Sequence, residues 1–82
     1  MPRRKGVVKW FKEEKGYGRI MLDGQDGHHV FVHFSAIRPN PRRFPNGYRF
    51  LKPGQKVTFH LIETNATDSQ RLTAVDVEIL SD

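Results

Sequence analysis

Tyr17-Gly18-Arg19-Ile20-Met21-Leu22-Asp23 and His29-Val30-Phe31-Val32-His33-Phe34 decide the fold of this chain. In the first stretch Tyr17, Arg19 and Met21 recur on one side and Gly18, Ile20 and Leu22 on the other, the period of two that marks a strand. In the second, Val30 and Val32 share one face and Phe31 and His33 the other. The intervening Asp23-Gly24-Gln25-Asp26-Gly27 is a turn signal, so the pair predicts two neighbouring strands, 17–23 and 29–34. Ile20, Leu22, Val30 and Val32 already fill the inner face. That leaves Tyr17, Arg19, Phe31 and His33 outside, where aromatic rings invite aggregation unless they serve a ligand.

Working outward, Lys5–Lys12 reads as a first strand behind a basic leader (1–5), closed by the polar turn Lys12-Glu13-Glu14-Lys15-Gly16. Residues 38–54 hold four of the five prolines, four arginines, two asparagines and two glycines, a composition for a long surface loop and not for a buried strand. Gln55–Glu63 alternates Val57, Phe59 and Leu61 against Thr58, His60 and Ile62. After a polar turn at Thr64–Gln70, Arg71–Leu80 alternates Val75, Val77 and Ile79. No window carries the i, i+3, i+4, i+7 apolar spacing of a helix, and no repeat is present. The expected fold is all-β, five short strands closed into a barrel, the smallest architecture that removes exposed sheet edges.

With 82 residues there is room for one domain, 1–82, and a chain of this size buries only about 60–65% of its unfolded surface, which argues against a deep catalytic cleft. The absence of cysteine excludes disulfide scaffolds and thiolate metal sites and fits a reducing compartment. No apolar run nears the roughly 18 residues of a membrane span, and no signal-peptide core follows Met1, so the expected location is the cytoplasm. Net charge is +5, and it is uneven: residues 1–50 carry eleven Lys/Arg against four Asp/Glu, residues 51–82 three against five. A positive field gathered in one half points to a polyanionic partner.

Trp10, Phe11 and Phe34 join the outward rings, with Lys9, Lys12 and Lys15 interspersed. Aromatic planes with cations between them are the parts of a single-strand platform, on which each stacked base is worth roughly 1–3 kcal/mol. Consecutive Trp10 and Phe11 in a regular strand point to opposite faces, so Phe11 is equally a residue of the core. Gly16 and Gly18 remove bulk beside Tyr17, letting a base or a neighbouring strand come close.

Lys9-Trp10-Phe11, Lys15-Gly16-Tyr17-Gly18-Arg19-Ile20 and Val30-Phe31-Val32-His33-Phe34-Ser35-Ala36-Ile37 together closely resemble the cold-shock domain and its two ribonucleoprotein motifs, in order and spacing, from about Gly6 to Val77. The resemblance implies a five-stranded antiparallel OB-fold barrel that binds single-stranded RNA and DNA, with RNA chaperone activity and no cofactor. It assigns base stacking to Trp10, Tyr17, Phe31, His33 and Phe34, with Lys9 near the ligand backbone. Two departures stand out. Arg19 takes a position that is usually aromatic in the family, which keeps a stacking plane but adds charge. The loop Arg38–Pro53 is longer than in most bacterial cold-shock proteins, and Asn40-Pro41-Arg42-Arg43-Phe44 is similar to the corresponding loop of Y-box proteins. Its stacking ring is Phe44 by that likeness or Tyr48 by counting back from Leu51, Tyr48 being preferred, and Arg42 and Arg43 become candidate phosphate contacts.

Other functions fit less well. His28, His29 and His33 lie close together, but His28 faces away from the other two and no carboxylate or thiol completes a metal set. His60 reads as a solvated strand residue. Ser35 beside His33 has no nucleophile elbow, and Asp23 and Asp26 suit a turn better than a nuclease metal site. The chain is therefore not expected to be an enzyme or to take a small-molecule substrate; a barrel presenting the same rings to a peptide is the alternative. A closed barrel is most simply a monomer.

Overall fold

The computed structural model describes residues 3–25, 27–63 and 72–82. Five strands, β1 (Arg4–Lys12), β2 (Tyr17–Leu22), β3 (His29–His33), β4 (Lys56–Glu63) and β5 (Leu72–Ser81), close into a barrel in the order β1-β2-β3-β5-β4. Four seams are antiparallel, as expected. The fifth, between β3 and β5, is parallel at Phe31↔Thr73 and is continued by a bridge between Ile37 and Val77. The expected turn at Thr64–Gln70, Arg71 at the expected start of the fifth strand, and Asp26 lie outside the described residues.

Strand ends move by a residue for local reasons. Asp23 adopts a positive φ of 55°, which stops β2 at Leu22. Phe34 leaves β3 to begin a 3-10 turn (Phe34–Ala36) whose N-cap is His33. The core is built from the inward faces that alternation predicts on β2, β3 and β4, namely Ile20, Val30, Val32, Val57 and Phe59, together with Val8 of β1.

Strand β5 departs from the expected Val75/Val77/Ile79 alternation. Its buried residues are Ala74 and Val77, three apart, while Val75 and Ile79 are half-buried. Thr58 pairs with Glu78 but His60 with Val75, so Phe59 faces two residues of β5 and the ladder is bulged. Asp76 is the extra residue, with φ of 55°, a conformation that Asp tolerates better than most side chains. The bulge flips the strand's inward face. It also frees backbone carbonyls, which Arg3 takes up: Nη2 donates to the carbonyls of Thr58 and Asp76 at 2.9 and 2.6 Å, and Nη1 to the Asp76 carboxylate at 2.9 Å. Arg4 meets Asp23 at 3.3 Å. These two arginines of the basic leader are thus engaged with the barrel.

The connection from 38 to 54 is not a loose insertion. Ile37 before it, and Phe44 and Leu51 within it, are buried with the core. The Asn40 side chain accepts from the backbone N–H groups of Arg42 and Arg43 at 3.0 and 3.4 Å, and the Asn40 carbonyl from that of Phe44 at 2.7 Å. This tight turn drives the Phe44 ring inward against Phe50. Gln55, at the exit, is buried and satisfied: Oε1 accepts from Lys52 N–H and Nε2 donates to Asp82, both at 2.8 Å.

Candidate nucleic-acid interface

The outer face of β1, β2 and β3 is organised by one irregularity. Counting by twos from the buried Val8 would send Trp10 into the core. Instead Val8 pairs with Ile20 and Trp10 with Arg19, so Lys9 is an extra residue on β1 and the strand changes face at that point. Trp10 thereby joins the outer face, and Phe11, opposite Gly18, packs against the core. Of the two roles open to Phe11, the structure gives it the inner one, so it is corrected from a ligand-stacking candidate to a half-buried core residue.

Gly18 makes this possible. A Cβ there would collide with the Trp10 carbonyl oxygen and lie 2.8 Å from Phe11 Cα. At Gly16, with φ of 77°, it would lie 2.8 Å from the Phe34 ring, while the Gly16 carbonyl accepts from Phe34 N–H at 2.8 Å. Both glycines are buried against their own chain, so close approach of backbone and ring, and not of a base, explains them.

Register now lays the rings out in two rows. Trp10–Arg19–Phe31 forms one and Lys12–Tyr17–His33 the next, each with one residue from β1, β2 and β3. The Tyr17 ring lies 5.9 Å from Phe31, nearly parallel at 28°, and 6.0 Å from Trp10 edge-on. Arg19 Cζ stands over Phe31 at 5.1 Å and over Trp10 at 6.0 Å, and Lys12 Nζ over Trp10 at 5.5 Å. His33 is 4.6 Å from Phe34, which is 40% exposed. The His33 imidazole is fixed by the 3-10 turn, Nδ1 accepting from Ser35 N–H at 3.3 Å and lying 2.8 Å from Ser35 Oγ. Lys9 Nζ lies 3.3 Å from His29 Nε2, at the edge of this surface. Lys15 is exposed in the turn between β1 and β2.

Of the two rings considered in the long loop, Tyr48 is exposed and Phe44 is buried. Phe44 is 6% exposed and Tyr48 50%. Phe44 is therefore withdrawn as a stacking candidate, because its turn commits it to the core. Tyr48 lies 6.0 Å from Phe50, and its hydroxyl donates to the Glu13 carbonyl, tying the loop to the β1–β2 turn. Arg49 donates to the Ile37 carbonyl at 2.8 Å and stands 5.9 Å over Phe34. Sequence reading missed Phe50, although Tyr48 and Phe50, two apart, carry the same spacing that revealed the other rings.

The remaining arginines lie elsewhere. Arg43 is 2.7 Å from Asp82, which also takes the Gln55 hydrogen bond; first Gln55 and then Arg43 hold the Asp82 carboxyl below its usual range. Arg43 is thus already neutralised at the end of β5, away from the rings. Arg38 meets Asp76 at 2.6 Å and Glu78 at 2.5 Å. The Arg38 hydrogen bond is the main cause lowering the Asp76 pKa, with Arg3 assisting. His60, expected to be solvated, is half-buried with Nε2 3.9 Å from Asp76. Arg42 is exposed, with no ion pair among the described residues. Among those residues no three His, Cys, Asp or Glu side chains gather as metal ligands, and no helix is long and apolar enough to cross a membrane.

Comparison with known proteins agrees with this geometry. Residues 4–80 match the 'Cold-shock' DNA-binding domain. Cold shock protein 1 of Lactiplantibacillus plantarum is 50% identical over 56 residues, 68% of this chain and 73% of that protein. Cold shock protein CspD of Bacillus subtilis is 47% identical over 60 residues, covering 73% and 79%, and cold shock protein CspB of Bacillus caldolyticus 44% over 62 residues, covering 76% and 82%. The family comprises nucleic-acid-binding proteins that are not enzymes. A closed five-stranded barrel, its ring-bearing face and a match over nearly its whole length together make this chain a member of the cold-shock domain family.

Proposed function

We propose that this protein binds single-stranded RNA and DNA by stacking unpaired bases on Trp10, Tyr17, Phe31, His33, Phe34 and Tyr48, while Lys9, Lys12, Lys15, Arg42 and Arg49 meet phosphates. One observation carries the reading. The inner faces of β2 and β3 are completed by Ile20, Val30 and Val32, yet the opposite face holds rings in register across three strands with cations between them. Folding does not require that arrangement, and a base offers each ring a partner worth roughly 1–3 kcal/mol. A paired base is already stacked and cannot reach the rings.

Such a protein acts on structured RNA by differential binding alone. A strand held at a hundredfold excess over Kd is stabilised by about 2.7 kcal/mol, enough to open a marginal hairpin without ATP but not a long duplex. The absence of cysteine and the bacterial relatives support action in the cytoplasm, and closure of the sheet into a barrel supports a monomer with residues 1–82 as one domain. The test is titration of Trp10 fluorescence with unstructured oligonucleotides of about 6–8 bases and with duplexes of equal length, at two salt concentrations. Quenching by single strands at much lower concentration is expected; equal affinity for duplex would overturn the reading. A salt-independent response to apolar peptides would favour a peptide-binding barrel instead.

A further inference from the structure

We infer that Arg19 reads base identity, its guanidinium donating to the keto edge of a guanine stacked on the Trp10–Phe31 row, so that the protein prefers guanine to adenine at that position. The inference deepens the single-strand reading and rests on it. Its starting point is an orphaned donor. Arg19 Nη1 is buried and has no hydrogen-bond partner. The other arginines of the described residues are accounted for: Arg3, Arg4, Arg38 and Arg43 meet carboxylates, Arg49 meets a carbonyl, and Arg42 is exposed to water. Arg19 alone combines shielding from water with the lack of an acceptor, a costly state for a charged group.

Position says what would supply the acceptor. Arg19 is the central residue of its row, paired with Trp10 on β1 and Phe31 on β3, and its guanidinium lies over both rings. A base that stacks on either ring enters the layer in which the guanidinium sits, and rotation of the side chain then brings its amino groups to the base edge. Phosphates are better met by the more exposed cations, Lys12, Lys15 and Arg42, which water reaches already.

Guanine is the base that fits a guanidinium fork, because O6 and N7 are both acceptors on one edge. Adenine places the N6 amino donor beside N7, donor against donor, and thymine and uracil have an N3–H donor between their two carbonyls, so neither presents two adjacent acceptors. With Phe in place of Arg19, the row would stack all bases without this discrimination.

The experiment uses labelled oligothymidylates of nine nucleotides with one central guanine, adenine, inosine or 2-aminopurine, read by fluorescence anisotropy against wild type, Arg19→Phe and Arg19→Lys, with thermal melts to establish folding. Guanine and inosine, which keep O6 and N7, should bind wild type about tenfold more tightly than adenine and 2-aminopurine. Arg19→Phe should erase that ratio while still binding the all-thymidine strand, and Arg19→Lys, a point charge without the fork, should lose most of it. An unchanged ratio in Arg19→Phe would overturn the inference. So would a loss equal for all four strands with a flatter salt dependence, since that marks a backbone contact. Wild type that fails to separate inosine from 2-aminopurine overturns it without any mutation. If wild type binds none of these strands, the single-strand reading itself fails, and the role of Arg19 with it.

Discussion

The two sides of the barrel use arginine in opposite ways. Around β5, Arg3, Arg38 and Arg43 meet Asp76, Glu78 and Asp82, so charge there is spent on holding the bulge, the long loop and the chain end together. On the β1–β2–β3 face, Lys12 and Arg19 lie over aromatic rings and meet no carboxylate among the described residues. The basic half of the sequence is thus not uniformly a binding surface. Charge is available to a polyanion beside the rings and at the exposed Arg42, where no acid meets it among the described residues.

The largest effect that can test this division is at the loop aromatics. Phe44→Ala should cost about 3–5 kcal/mol of stability by emptying a core site, whereas Tyr48→Ala should leave the melt nearly unchanged and weaken single-strand binding by roughly 1–3 kcal/mol. Denaturant titration beside oligonucleotide binding separates the two, and a Tyr48→Ala protein that binds like wild type would remove the loop from the interface.

Adjacent residues of β3 sharpen the same contrast. Phe31→Ala should lower affinity by about 1–3 kcal/mol with little change in folding, and Val32→Ala should lower stability by about 2 kcal/mol with affinity kept in the folded fraction. If Phe31→Ala proved the less stable of the two, the assignment of faces would be wrong.

Salt dependence offers a smaller signal. Arg42→Gln should flatten the slope of log K against log salt by about 0.7, the value for one phosphate on a single strand, while Arg43→Gln should leave it unchanged because Asp82 already holds that charge. A flatter slope in Arg43→Gln would show that the ligand displaces Asp82.

The smallest effect is a pH dependence confined to the paired side. Folding lowers the carboxyl pKa of Asp76, chiefly through Arg38, and of Asp82, chiefly through Gln55. A lowered folded-state pKa contributes stability above the unfolded value, and that contribution is lost as pH falls through the folded one. The urea midpoint should therefore decline on acidification through and below the ordinary carboxylate range, and Asp76→Asn, which keeps the backbone conformation available, should flatten the decline. An identical decline in that variant would assign the acid sensitivity to other groups.

Where the chain alternates strictly, sequence was enough. The inward Ile20, Val30, Val32, Val57 and Phe59, and the outward Tyr17, Phe31 and His33, all follow from a period of two. Bulges are where legibility fails, because one added residue exchanges the faces of everything after it. On β5 alternation placed Val77 and Ile79 correctly but not Val75, because the bulge at Asp76 turns Ala74 inward instead, and only the bulge at Lys9 decides which of Trp10 and Phe11 faces out. Phe44 was ambiguous for a different reason. A turn closed by Asn40 sends it inward, and neither its neighbours nor its hydrophobicity distinguishes that from exposure. Ion pairing across the barrel, such as Arg43 with Asp82, joins residues 39 positions apart and leaves no local sign.

The central claim is that affinity comes from rings stacking on bases, with charge in a supporting role. It is tested most directly by comparing heptathymidylate with a strand of equal length and equal phosphate charge in which the central bases are abasic. Stacking predicts a loss of roughly 1–3 kcal/mol for each base removed opposite a ring, with the salt slope unchanged. Equal affinity for the two strands would show that the protein holds the phosphate backbone alone.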